Sequence, residues 1–190
     1  MKKFGHISAK SYDEASKIVR EGNGTIDPIA GGTDLLGTYK DRLLTTYPEA
    51  VVSLKNIPGS EYIVEEDDKL LIGAGTTLKN IASDETVKKY AQALAEAAYS
   101  VASPIIRTTA TIGGNVCQDV RCWYYRYPDN IGGRLNCKRK GGETCYAIAG
   151  ENRYHSIFGG MSTGSCSSCQ HACPAGTSIS AYRAKIRAND

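Results

Sequence analysis

An α+β fold in two lobes, followed by a cysteine-rich segment, is what this chain predicts. Three observations point there. Short apolar stretches of strand and helix periodicity alternate over the first 116 residues. Two Gly-Gly pairs, at Gly31-Gly32 and Gly113-Gly114, punctuate that region. All seven cysteines lie after residue 116, where aliphatic residues give way to cysteine, tyrosine and basic residues. A length of 190 residues, 41% hydrophobic, suffices for one ordinary domain with a core and a short appendage. The expected division is a first lobe over about 1–56, a second over about 57–116 and a cysteine-rich segment over 117–160. A linker and the start of a second cysteine-bearing domain then occupy 161–190.

Residues 4–7 read as a strand. Ser11-Tyr12-Asp13-Glu14 is a capping-box start, and Ala15, Ile18 and Val19 give the following helix its apolar face. Gly22 and Gly24 end that helix. Residues 25–30 form a strand running into Gly31-Gly32-Thr33-Asp34, and Leu35, Leu36, Tyr39, Leu43 and Leu44 then carry helical spacing. Residues 51–54 are a third strand. In the second lobe, 62–64 and 70–73 are strands joined by the acidic turn Glu65-Glu66-Asp67-Asp68. Helices are expected over 77–82 and 87–101, the latter broken by Ser103-Pro104. The β-branched stretch 105–115 reads as strand, turn and Gly-Gly loop.

Net charge is +3, from 23 basic and 20 acidic residues mixed along the chain, which argues against a nucleic-acid or anionic-membrane partner. Neither a secretory leader nor a membrane span is expected, so the expected location is the cytoplasm. An odd, clustered cysteine count in such a chain favours metal or cluster ligation over a disulfide scaffold.

The segment Ile29-Ala30-Gly31-Gly32-Thr33-Asp34-Leu35-Leu36 sets two glycines between a strand and a helix. Glycine permits positive φ and close backbone approach, so successive N–H groups can converge on an anion. Thr33 adds a hydroxyl, whereas Asp34 suits a helix cap better than a phosphate contact. Taken alone, Gly-Gly-Thr is more often an ordinary strand-to-helix turn. Thr111-Ile112-Gly113-Gly114-Asn115 supplies a second such segment, and two can clamp a diphosphate from both sides. Neither segment has the spacing of a Rossmann or a P-loop nucleotide site.

Together, Pro28–Leu36 and Ala110–Asn115 resemble the two flavin signatures of the FAD-binding domain of molybdenum hydroxylases, the xanthine dehydrogenase and carbon monoxide dehydrogenase group. The resemblance covers about residues 1–160. It implies a two-lobed fold of the molybdopterin dehydrogenase flavoprotein type with FAD stretched between the lobes. It also implies that Ile29 to Leu36 and Thr111 to Asn115 hold the diphosphate and ribityl region, and that Val101 packs on the flavin. Implied partners are a molybdopterin-containing catalytic subunit and a [2Fe–2S] subunit, with NAD(P) or another compound as acceptor. The resemblance further implies a longer parent chain with an additional α+β domain.

Cys117, Cys122, Cys137 and Cys145 are too widely spaced for a zinc ribbon, and Arg121, Lys138, Arg139 and Lys140 would offset the negative charge of an iron–sulfur cluster. Trp123, Tyr124, Tyr125 and Tyr127 fit ordinary packing better than stacking on a cofactor. The stretch resembles the cluster-bearing insertion of the 4-hydroxybenzoyl-CoA reductase flavoprotein subunit, in which Cys122, Cys137 and Cys145 match three ligands of a [4Fe–4S] cluster. The family's fourth cysteine is missing here; His155 and Cys117 are the candidates, with His155 slightly preferred. Cys166, Cys169 and Cys173, in Cys-x2-Cys-x3-Cys-Pro spacing, resemble the start of the iron–sulfur domain in the glutamate synthase small-subunit group. The expectation is therefore an FAD-dependent electron-transfer component of an oxidoreductase, with no general base or nucleophile of its own. The competing reading is a non-enzymatic, zinc-binding or docking module.

Overall fold

The computed structural model describes residues 1–151. His155, Cys166, Cys169 and Cys173 lie outside them, as does the helix-like stretch 179–188. The described chain is α+β. Its elements are β1 (Gly5–Ser8), α1 (Tyr12–Glu21), β2 (Ile26–Ile29), α2 (Leu35–Lys40), β3 (Ala50–Ser53), β4 (Ile63–Glu66), β5 (Lys69–Ile72), α3 (Leu78–Ser83), α4 (Glu85–Tyr90), α5 (Gln92–Ser100), α6 (Pro104–Thr109), α7 (Ile112–Val116), α8 (Trp123–Arg126), a 3-10 turn (Lys138–Lys140) and α9 (Tyr146–Ala149). No helix among the described residues is long and apolar enough to cross a membrane.

The chain forms two compact units. One comprises Lys2–Leu35 and Tyr47–Asn115; the other takes Leu36–Thr46 together with the described residues from Val116 onward.

In the first unit, β1, β3 and β2 make a parallel sheet in that order, with Ile7 opposite Val52 and Ile29 opposite Ser53. The central strand is the apolar one: Val51 and Val52 are fully buried, as a parallel strand between two neighbours should be. The Ser11 hydroxyl accepts a hydrogen bond from the Glu14 N–H at 3.1 Å and starts α1, whose Ala15 and Ile18 pack with Val52 and Ile57. A separate core joins Leu78, Ile81, Val87, Ala95, Ala98 and Ala110, with Ile63, Leu70 and Ile72 of the β4–β5 hairpin against it. Asp67 and Asp68, with φ of 47° and 58°, make the two-residue turn of that hairpin.

Two expectations fail here. Residues 87–101 are not one helix, because Ala91 (φ −145°, ψ 54°) separates α4 from α5. Neither Gly nor Pro marks the break. Residues 105–115 are not a strand and loop but helices α6 and α7. The Ser103 hydroxyl caps the Ile106 N–H at 3.4 Å, and Pro104 sits in the first turn, where its missing N–H costs nothing. Ser103-Pro104 is a helix start rather than only a helix stop, and that start outweighs the β propensity of Ile105, Ile106, Thr108 and Thr109.

In the second unit, Tyr39 and Leu43 are fully buried. Another cluster packs Val120, Cys122, Tyr125 and Cys137 with Tyr124 and Tyr146, whose rings stack at 5.7 Å.

Candidate functional site

The two glycine segments meet within one unit. β2 delivers Ile29 and Ala30 to Gly31, and α6 delivers Thr109 and Ala110 to Thr111. Gly31 lies so close to the second segment that a Cβ on it would sit 2.1 Å from the Thr109 carbonyl oxygen and 3.0 Å from the Ala110 Cα. Glycine is required here by proximity, not by φ. Gly32 is required by φ, which is +69°. The second segment is anchored from its other side. The Gly113 N–H donates to the Ala74 carbonyl at 2.9 Å and the Ile112 N–H to the Thr76 carbonyl at 2.9 Å, while Thr77 and Thr111 form a β-bridge.

The expected positive φ at Gly113 and Gly114 is not found; both are helical residues of α7. The buried Thr111 starts that helix, its hydroxyl accepting from the Gly114 N–H at 3.1 Å. Gly113 is nonetheless a close-approach glycine, since a Cβ would come within 2.8 Å of the Ala74 carbonyl. Thr33 and Gly114 are exposed, whereas Gly31, Gly32 and Asn115 are half-buried.

These residues fit a diphosphate. Neither segment carries Lys or Arg, and the N–H groups of Ile112, Gly113, Gly114 and Asn115 donate within the chain, so the donors suited to such a group are the main-chain N–H groups of the first segment, small side chains and the Thr33 hydroxyl. The glycines keep Cβ atoms out of the space where the segments converge. Val101 stands apart at the end of α5, half-buried, with its carbonyl accepting from the Arg107 guanidinium at 2.8 Å. Leu36 falls in the other unit. Two open clefts, one lined by Tyr62, Thr76, Asn80 and Asp84 and the other by Lys79, Tyr99, Ile105 and Arg107, do not include the glycine segments.

Three of the four candidate cysteines in the first set come together electrostatically. Burial pushes the Cys137 thiol above its usual range; N–H groups of Arg139 and Lys140 directed at the sulfur oppose this, and Cys122 and Cys145 add to it. Cys122 and Cys137 are buried, Cys145 is half-buried and Cys117 is exposed. Hydrogen bonds from Lys138 N–H to the Thr144 carbonyl (2.9 Å) and from Thr144 N–H to the Asn136 carbonyl (3.0 Å) close the loop that carries Cys137 and leads to Cys145. Gly141, at φ +82°, turns it. Among the described residues, no three His, Cys, Asp or Glu side chains form a group able to hold a single metal ion.

The surroundings of those cysteines carry ion pairs that the composition alone does not reveal. Asp119 accepts from Arg139 (3.0 Å), from the Tyr125 hydroxyl (2.6 Å) and from the Val120 N–H (2.8 Å). Burial, reinforced by that carboxylate, pushes the Tyr125 phenol well above its ordinary range. The fully buried Lys140 ammonium donates to Asp129 and to the Tyr127 carbonyl, both at 2.5 Å.

A family model described as the FAD binding domain in molybdopterin dehydrogenase matches residues 2–123. The nicotinate dehydrogenase FAD-subunit of Eubacterium barkeri is 36% identical over 61% of this chain and 39% of its own. Among solved structures, carbon monoxide dehydrogenase from Hydrogenophaga pseudoflava superposes with a TM-score of 0.58 at 30% identity, covering 62% of this chain and 41% of that one. Quinoline 2-oxidoreductase from Pseudomonas putida 86 gives 0.58 at 28%, covering 63% and 42%. The chain thus spans about two-fifths of the length of the relatives it matches.

Proposed function

Because the chain belongs to the family of FAD-binding domains in molybdopterin dehydrogenases, we propose that its two glycine segments hold the diphosphate of FAD in the electron-transfer component of a molybdenum-hydroxylase-type oxidoreductase. The observation that carries this reading is the contact of Gly31 with Thr109 and Ala110, which makes the two signatures one surface. Ile29 to Leu35 and Thr111 to Asn115 supply that surface, and Val101 packs against the ring system. FAD, when bound, takes up and releases electrons. The protein's part is to fix its position and local potential. Main-chain dipoles at Gly31 and Gly32, with the Thr33 hydroxyl, balance the phosphate charge in place of cationic side chains. The partners that suit this role are a molybdopterin-containing subunit and a [2Fe–2S] subunit, with NAD(P) or another compound as acceptor, in the cytoplasm.

Cys122, Cys137 and Cys145 are proposed as three ligands of a [4Fe–4S] cluster, with His155 or Cys117 as the fourth. The N–H groups directed at the Cys137 sulfur suit a thiolate ligand, because such bonds stabilise sulfur-borne charge and tune cluster potentials. Cys166, Cys169 and Cys173 are proposed to begin a second iron–sulfur site.

The test is the flavin, iron and sulfide content of anaerobically purified protein. One FAD per chain with iron and sulfide supports the whole proposal. Zinc without flavin supports the competing reading of a metal-binding module. Cys137→Ser is expected to remove the broad cluster absorbance and most of the iron while sparing flavin. Unchanged iron content would sink the ligand assignment.

A further inference from the structure

We infer that Arg134, with its partners Asp129 and Lys140, is a positioning device for the first glycine segment. The inference rests on the flavin reading for its functional meaning, but its physical content is separate.

The chain leaves one unit for the other at the last residue of the first glycine signature, Leu35/Leu36, and immediately after the second, at Asn115/Val116. Helix α2 starts at Leu35, so its continuation through Thr46 belongs to the cysteine-rich unit. Whatever fixes residues 36–46 therefore fixes the exit of the first glycine segment through covalent continuity.

Arg134 contributes to that fixing through its guanidinium. Its guanidinium donates to the Leu43 carbonyl at 3.1 Å, the Leu44 carbonyl at 3.5 Å and the Lys140 carbonyl at 3.1 Å. One planar fork thereby ties residues 43–44 to the loop beside Cys137, across about ninety positions of sequence. Asp129 adds a second tie, its N–H donating to the Asp41 carbonyl at 2.9 Å. The Asp129 carboxylate lies between Lys140 (2.5 Å) and Arg134 (3.3 Å), the latter an ion pair without hydrogen-bond alignment.

Between the two ties stands Arg42, a non-glycine residue at φ +58°. Such a conformation persists only where the surroundings over-determine it. Here the carbonyls on either side, those of Asp41 and Leu43, are both held by the cysteine-rich segment. Nothing in flavin recognition demands this arrangement of residues 41–44. It is explained if the cysteine-rich unit grips α2 and thereby limits the freedom of the loop before it.

The experiment compares the 190-residue chain with Arg134→Met and Arg134→Lys by FAD titration and by amide hydrogen exchange on the flavin-free protein. Arg134→Met is expected to raise the Kd for FAD at least fivefold and to speed exchange at residues 30–34 and 38–44. Exchange at Ile81, Ala95 and Ala98 should stay unchanged. Arg134→Lys, which keeps a cation but loses the fork, should restore only part of both effects. The inference is overturned if residues 38–44 loosen while residues 30–34 keep wild-type exchange and FAD affinity, or if residues 38–44 do not loosen at all. Failure of the wild-type chain to bind FAD would overturn the flavin reading instead. Faster exchange at 30–34 in Arg134→Met would still uphold the coupling in that case.

Discussion

Gly31→Ala is expected to strip FAD from the protein although it adds a single methyl group. The new Cβ would stand 2.1 Å from the Thr109 carbonyl oxygen, well inside van der Waals contact, and that atom is backbone. It cannot rotate away as a side-chain tip would, so α6 must shift or the first glycine segment must withdraw. Overpacking of this kind costs about 1–3 kcal/mol. If the strain is relieved by separating the two segments, the loss falls on the bound state. Affinity for FAD should then drop by roughly tenfold to a hundredfold, at about 1.4 kcal/mol per decade. Gly37→Ala is the matched control: nothing lies within 4 Å of its added Cβ, and the site is inside α2. That variant should bind FAD like wild type and gain up to about 1 kcal/mol of stability from helix propensity. Fluorescence titration of both variants decides the matter, and equal affinities would mean that the contact between the two segments is dispensable.

Lys140→Ala is expected to unfold the cysteine-rich unit. The Lys140 side chain is fully buried and Asp129 nearly so. Removal of the ammonium leaves a buried carboxylate with only the misaligned Arg134 pair, and breaking a buried pair from one side costs about 3–5 kcal/mol. That is a large share of the roughly 5–15 kcal/mol that holds an ordinary domain together. Near-ultraviolet circular dichroism of the stacked tyrosines should show the loss. Replacing both partners, as Lys140→Met with Asp129→Leu, should recover most of the stability, because an apolar pair leaves no unpaired charge. A single variant within about 1 kcal/mol of wild type would show that the pair is not structural.

Much of the first unit was legible in the sequence. Ser11 and Glu14 announced α1 through a local hydrogen bond, and Asp67-Asp68 announced a hairpin turn, because both signals act within four residues. The helices α6 and α7 read as strand because Ile105, Ile106, Thr108, Thr109, Thr111 and Ile112 carry β-branched propensity, while the decisive Ser103-Pro104 start reads equally well as a stop. The break at Ala91 left no trace, since no residue there forbids helix.

For the candidate site, the pair of Gly-Gly motifs singled out two segments that the fold brings together, but the conformational reason read for the glycines holds for only one of them. Gly32 needs its positive φ; Gly31 and Gly113 are glycines because a carbonyl from elsewhere in the chain occupies the place of a side chain. Such a requirement is long-range and has no local signature. The same holds for the grip of Arg134 on Leu43 and Leu44, and for the burial of Lys140. The sequence reads Lys138, Arg139 and Lys140 alike as counter-charges to a cluster, yet Lys140 is the most buried cation of the unit among the described residues.

Recognition of a diphosphate by Gly31, Gly32 and the Thr111–Asn115 segment can be measured by titrating the flavin-free chain with FAD and, in parallel, with riboflavin, which lacks the diphosphate and the adenosine. One FAD per chain is expected, with riboflavin binding at least tenfold more weakly. Equal affinity for the two, or no binding of either, would contradict it.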